Sequence, residues 1–351
     1  MVRDWSIAAN HCVCTKKRNG KAIVIAGRVT RRSPVLIVVV ALLIVATPRV
    51  GAAQGPASEG QSPQITFKSG VEVVTVNVAV RDQHGKVVRD LKKADFEVID
   101  TGFGREIRDF YFGDSAISLA ILLDISGSMA VGGNMERARA AVSVAMMNLR
   151  DRVDEATLFT FDTKLRQVVE FTNDLNKIQR VNLKGTPWGQ TSLFDAIGNT
   201  ARAAALRSNK HRALLVITDG VDTGSRLSAS EVSGIASAID VPVYLLVVAN
   251  PLDHPGGEFA VVAADERETK TATLADLARW TGGDMRIASE PDHTVEAIQD
   301  LFAELRHQYL ITFEPGERPG WHPLEIRTRK KNLVVHARGG YMSGPSRTES
   351  Q

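Results

Sequence analysis

Residues 116–129 constrain this chain more than any other stretch. They run apolar from Ala116 to Leu123, with Ser118 the one interruption, and then break abruptly into Asp124, Ser126 and Ser128 around Gly127. A run of this length and apolarity suits a strand buried on both faces, as in a parallel sheet covered by helices. In such sheets ligand chemistry collects just beyond the carboxyl ends of the strands, where these three polar residues fall. One carboxylate and two hydroxyls on a tight turn are hard oxygen donors, the kind that Mg²⁺ prefers.

Two later segments extend the pattern. Residues 189–196 offer the hydroxyl of Thr191 at the start of a helical stretch, and residues 212–220 form a second apolar run ending in Asp219. Taken singly, each piece also reads as a helix cap or a turn. Taken together and in order, Asp124, Ser126, Ser128, Thr191 and Asp219 resemble the metal-ion-dependent adhesion site (MIDAS) of von Willebrand factor type A domains, whose pattern is Asp-x-Ser-x-Ser, then Thr, then Asp. That resemblance implies a Mg²⁺ site, with Mn²⁺ or Ca²⁺ as substitutes. Ser126, Ser128 and Thr191 would ligate directly, and Asp124 and Asp219 would act largely through bound water.

The amino-terminal residues read as a targeting segment. Residues 1–53 carry nine Lys or Arg and one acid, followed within them by an apolar run at 35–46 and small residues at Gly51, Ala52 and Ala53. Basic, then apolar, then small is the secretory signal pattern. The run is shorter than the roughly 20 residues that a membrane span needs, so the expectation is an exported, periplasmic or cell-surface protein. An uncleaved signal is the alternative, and then the one contact with a membrane. The segment also distorts the charge balance. The full chain carries 43 bases and 40 acids, net +3, and without residues 1–53 the balance becomes −5. That sign excludes nucleic-acid binding driven by charge. Both cysteines, Cys12 and Cys14, lie in the same segment, so the remainder cannot use disulfides and must rely on the size of its core.

Beyond a linker-like stretch at 54–64, the chain divides into a β region at 65–112, an α/β region at 115–308, further strands at 309–342 and a tail at 343–351 that reads as disordered. The first region holds strand patterns at 71–80, 96–100 and 106–111, with turns at 82–85 and 101–104. The second alternates strands and helices: a helix at 134–150, a strand at 156–161, an antiparallel edge strand at 163–171, helices at 175–183 and 192–206, a strand at 243–248, a helix at 270–280, a strand at 285–287 and a helix at 291–307. This predicts a doubly wound, mostly parallel α/β fold. The strands at 309–313, 322–327 and 333–337 are too few to stand alone and are expected to pair with those of 65–112, giving one β-sandwich with the α/β domain inserted. After the leader, Asp82 and Gly85, Asp95 to Val98, the metal motifs and Gly340-Tyr341 resemble a family of exported bacterial VWFA-related proteins abundant in Acidobacteria. The stretch at 250–269 is long for a connection and, as a strand-to-helix loop, is expected at the partner surface.

These readings favour a protein-binding module over an enzyme. An Asp-x-Asp phosphohydrolase needs a second aspartate where this chain has Ser126. No Ser–His pair, Gly-x-Ser-x-Gly, His-Glu-x-x-His or phosphate loop appears, and the histidines are scattered. The expected function is capture of a partner protein's Asp or Glu through a divalent cation. The alternatives are an envelope scaffold with a structural metal and, behind it, a metal-dependent hydrolase.

Overall fold

The computed structural model describes residues 73–248 and 274–344. The expected leader, the linker, the 250–269 loop and residues 345–351 of the expected tail lie outside those residues. Among the described residues no helix is long and apolar enough to cross a membrane.

The chain opens with four strands, β1 (Val74–Asp82), β2 (Phe96–Asp100), β3 (Phe103–Arg105) and β4 (Ile107–Phe112). The next strand, β5 (Ile117–Asp124), is buried at every position. Such a strand has to lie mid-sheet with helices on both sides. It pairs in parallel with β6 (Glu155–Phe161) on one side and β8 (His211–Thr218) on the other. Between them in sequence comes β7 (Leu165–Thr172), antiparallel to β6 at the sheet edge, as expected for 163–171. Beyond β8, the parallel strands β9 (Val243–Val248) and β10 (Met285–Ala288) complete the order β10-β9-β8-β5-β6-β7.

Alternate residues of a strand face opposite sides, and β5 uses both. Ile117, Leu119, Ile121 and Leu123 pack with α1 (Asn134–Asn148) and α6 (Pro291–Arg306) through Ala138, Ala141, Val142, Ala145, Leu301 and Leu305. Ala120 and Leu122 join the opposite core, with Ile197 and Ala201 of α3 (Leu193–Ala205), Val232 of α4 (Ala229–Ala238) and Leu277 of α5 (Leu274–Thr281). The sequence reading has no helix at α4, although Ser228 and Glu231 form a capping box there. The helix expected at 175–183 shortens to α2 (Asn176–Gln179). Arg139 of α1 draws the following chain away, its guanidinium donating to the carbonyls of Leu183 and Gly185.

The remaining strands are β11 (Tyr309–Phe313), β12 (Gly320–Thr328), β13 (Leu333–His336) and β14 (Gly340–Ser343). They interleave with the first four into two antiparallel sheets, β13-β1-β11-β4 and β14-β12-β2-β3. Val76, Val78, Val80, Phe96, Val98, Tyr309, Ile311, Phe313, Leu324 and Tyr341 fill the space between them. Two details differ from the sequence reading. The 101–104 turn is only Thr101-Gly102, with φ of 52° and 83°. Paired positive φ values make a tight hairpin, which frees residues 103–105 to form β3. At the other end β14 extends to Ser343, the first residue of the expected tail.

The α/β domain leaves the sandwich at Phe112 and returns at Tyr309, and these two residues are paired neighbours in β4 and β11. The sandwich therefore meets the amino edge of the parallel sheet. Contacts of Arg338, Asn77 and Glu304 are among those that fasten it there. Arg338 donates to the carbonyl oxygens of Ser237 at the end of α4 and Thr75 at the start of β1 (3.0 and 2.7 Å). Asn77 donates to the Asp240 carboxylate at 2.8 Å. Glu304, fully buried on α6, accepts from Arg81 of β1 at 2.6 Å and from Tyr244 of β9 at 2.7 Å, and lies 3.2 Å from the His336 ring of β13.

Burial alone raises the Glu304 carboxyl, but His336, Arg81 and Tyr244 outweigh it and hold Glu304 below its ordinary 4.5. Burial likewise lowers His336, and Glu304 outweighs it, so the imidazole sits above its ordinary 6.5. Glu304 therefore contributes stability above pH 4.5 that fades as pH falls through its lowered folded value. His336 contributes fully below pH 6.5 and fades as pH rises through its raised folded value. The Tm difference between wild type and His336→Gln is expected to be largest between those limits and to shrink as pH rises beyond 6.5; a difference that keeps widening above pH 6.5 would refute the ion pair. Glu304→Ala, which takes the 2.6 Å carboxylate from buried Arg81 and leaves it the part-exposed Asp300 carboxylate at 3.4 Å, is expected to cost about 3–5 kcal/mol in denaturant unfolding.

Candidate metal centre

All five predicted oxygen donors lie at the carboxyl edge of the parallel sheet, opposite the sandwich. Asp124 ends β5, Ser126 and Ser128 follow in the next turn, Thr191 directly precedes the amino end of α3, and Asp219 directly follows β8. Asp124, Ser126 and Thr191 are buried, and Ser128 and Asp219 are partly exposed.

Backbone bonds hold the three loops side by side. Gly127 N donates to Gly189 O and Trp188 N to Ile125 O, each at 3.0 Å, so the first two loops are stitched in both directions. Gly189 takes φ +93°, and a Cβ there would meet the Thr163 hydroxyl at 3.3 Å; glycine suits this left-handed position. The second loop is tied to the third. Thr223 N and Gly224 N both donate to Thr191 O at 2.9 Å, and Thr191 N donates to the Thr223 hydroxyl at 2.9 Å. The ends of β6 secure the arrangement from below, Phe161 O accepting from Ile125 N and Asp162 O from Ser192 N.

The side chains follow from this frame. The Ser126 and Ser128 hydroxyls stand 3.1 Å apart. Asp124 accepts from Ser126 N through Oδ1 at 2.8 Å and from the Thr218 hydroxyl through Oδ2 at 2.6 Å. Its burial pushes the carboxyl up to about 6; the Thr218 and Ser126 hydrogen bonds oppose that rise, and the nearby charge of Asp219 adds to it. Among the described residues neither Asp124 nor Asp219 forms a salt bridge. Two carboxylates close enough to repel, three hydroxyls and no cationic side chain make a donor set that a hard divalent cation fits. No group of three or more His, Cys, Asp or Glu side chains gathers for a metal among the described residues, because three of the five donors here are hydroxyls.

Several supporting residues have no part in the sequence reading. Thr218 holds Asp124 from β8, separated from β5 in sequence by β6 and β7 but adjacent to it in the sheet. Thr223 and Asp222 organise the second loop, Asp222 accepting from Leu193 N at 2.8 Å and so closing the first turn of α3 from outside. The signal was present: a hydroxyl at the end of an otherwise apolar strand, and an Asp and a Thr just beyond Asp219. Asp195, on the first turn of α3, accepts from Arg226 N and Leu227 N and pins the third loop. The histidines have other partners, His322 on buried Asp100 at 2.8 Å and His336 on Glu304.

Residues 119–221 match the family model of the von Willebrand factor type A domain, a span that contains all five donors. No curated protein matches the chain. Solved structures of similar shape include an aerotolerance-related membrane protein from Bacteroides fragilis, with 20% identity and a TM-score of 0.41, covering 54% of this chain and 98% of that one. A von Willebrand factor type A protein from Catenulispora acidiphila has 12% identity and a TM-score of 0.40, covering 80% and 76%. The PilB minor pilin from Streptococcus sanguinis has 13% identity and a TM-score of 0.39, covering 55% and 62%.

Thr218→Val keeps the shape of the strand end but removes the hydroxyl on Asp124 Oδ2. It is expected to lower the unfolding free energy by about 1–3 kcal/mol in urea, the cost of an unmet buried acceptor. Thr218→Ser, which retains the donor, should lose less; equal losses in the two variants would mean that packing and not the hydrogen bond is at work.

Proposed function

We propose that this von Willebrand factor type A domain serves as an exported, cation-dependent protein-binding module that captures an Asp or Glu carboxylate of a partner. The single observation that carries the reading is the gathering of Asp124, Ser126, Ser128, Thr191 and Asp219 by backbone bonds at one sheet edge, around a buried carboxylate with no cationic neighbour among the described residues. In this reading the five side chains hold Mg²⁺, with Mn²⁺ or Ca²⁺ as substitutes. With both carboxylates acting through bound water, the direct protein ligands would be neutral hydroxyls, and the ion, when bound, would supply an electrophilic position for an outside carboxylate. The chain's own part is to preorganise the oxygens and to leave the edge open to a partner. Export rests on the leader-like sequence of residues 1–53.

A hydrolytic role lacks its acid/base group. Ser126, not a second aspartate, stands two residues after Asp124, and His322 and His336 are engaged in the sandwich and at its junction, away from the site edge.

Mn²⁺ titration of the purified full chain, followed by electron paramagnetic resonance, tests the site. Asp124→Asn and Thr191→Ala are each expected to weaken binding by about 10–100-fold without altering circular dichroism. Water-proton relaxation by the bound Mn²⁺ should fall when a Glu-containing peptide is added, and hold when Gln replaces Glu. Mn²⁺ affinity unchanged in both variants would sink the metal site. Bound Mn²⁺ that stabilises the fold but ignores the carboxylate would leave a structural metal in a scaffold.

A further inference from the structure

Each of the three site loops also carries a large apolar residue turned to solvent. Trp188 is 82% exposed, Val131 68% and Val221 48%. None is remote from the oxygens. Val131 N donates to Ser128 O, Val221 N donates to the Asp219 carboxylate, and Trp188 sits three residues before Thr191 with its N–H on Ile125 O. Single exposed apolar residues are ordinary on a protein surface. Three on one edge, one from each loop around a polar centre, make a rim that water does not favour.

Charges of both signs stand on the same loops. Asp162 is bound by Lys164 N and by Arg166, Asp222 by Leu193 N and the Ser225 hydroxyl, and Asp195 by Arg226 N and Leu227 N. Lys164, Lys184 and Arg226 remain exposed on these or adjoining segments. The edge therefore offers apolar surface beside its oxygens, with exposed basic side chains on the same or adjoining segments. Exposed tryptophan on a rigid frame is the residue type most enriched among binding hot spots, and the backbone bond from Trp188 to the first loop restricts its motion before any partner arrives.

We propose that Trp188, Val131 and Val221 form an apolar rim that reads the residues beside the captured carboxylate, so that the occupant is an acidic polypeptide segment with an aromatic or branched aliphatic side chain next to its Asp or Glu. This rests on the carboxylate-capture reading and specifies which carboxylates are taken. Trp188 is the anchor; Val131 and Val221 close the sides.

The test uses the full chain, immobilised in Mg²⁺, against a displayed library of twelve-residue peptides with a fixed central Asp or Glu and random flanks. Peptides released by EDTA are expected to be enriched in aromatic and branched aliphatic residues within three positions of the carboxylate. The best of them, synthesised, should bind Trp188→Ser about 10–30-fold more weakly than wild type, and bind Leu206→Ser, which removes an equally exposed apolar residue beyond the carboxyl end of α3, as wild type does. EDTA-released peptides without apolar enrichment, or equal affinity for Trp188→Ser, would overturn the rim and leave carboxylate capture standing. Failure of EDTA to release any peptide would bring down capture, and the rim with it. A wild-type dimer in sedimentation velocity that Trp188→Ser returns to monomer would assign the face to a second copy and overturn the proposal.

Discussion

Burying the Asp124 carboxylate at the end of the central strand is the constraint around which this domain is arranged. A charge withdrawn from water is costly unless it is hydrogen-bonded and paired. Asp124 receives two hydrogen bonds, one from its own turn and one from Thr218 of the neighbouring strand. No cationic side chain reaches it among the described residues, and Asp219 adds repulsion. A fold tolerates this when the rest of the molecule supplies the stability. Here two apolar layers do so, packed against opposite faces of β5 by its alternate residues.

The two edges of the parallel sheet are correspondingly unlike. At the amino edge the sandwich is fastened by buried charges that have partners of opposite sign: Glu304 faces Arg81 and His336 and accepts from Tyr244, and Arg338 and Asn77 cover the end of α4 and Asp240. At the carboxyl edge the buried charge is unmatched. The chain passes between the domains through paired neighbours, Phe112 and Tyr309, so insertion of the α/β domain leaves the sandwich sheet continuous. One edge is thereby covered by the sandwich, and the opposite edge carries the three stitched loops.

How far the sequence reveals this depends on whether the determinant is local. The strand β5, the antiparallel edge strand and the pairing of early with late strands follow from apolar periodicity and from the inability of three strands to stand alone. The five oxygen donors are legible because their spacing is a pattern. What escapes is set by contacts between segments. The length of α2 depends on Arg139 reaching Leu183 and Gly185, which no window around residue 180 contains. The strand β3 depends on a hairpin only two residues long. Thr218 matters because β8 lies beside β5, a fact of sheet order. The helix α4 is the opposite case. Its capping box at Ser228 and Glu231 is local and readable, but only Val232 and Ile235 stand among its small residues as bulky apolar side chains.

The same distinction explains why hydroxyls dominate the site. A cluster of three or more carboxylates would announce itself in composition and would repel strongly when empty. Two carboxylates, one of them sealed and hydrogen-bonded, keep that repulsion within what Thr218 and the Ser126 N–H can offset. The remaining donors, Ser126, Ser128 and Thr191, carry no charge, so their position costs little without an ion and is fixed by backbone bonds between loops: Gly127 to Gly189, Trp188 to Ile125, and Thr223 and Gly224 to Thr191. Main-chain geometry thus sets both the oxygen centre and the apolar side chains around it. A change at Trp188 or Val221 alters what surrounds the centre and leaves the amide bonds that build it in place, so under the proposed function affinity for an ion and selectivity for a partner would be separable properties of the same three loops.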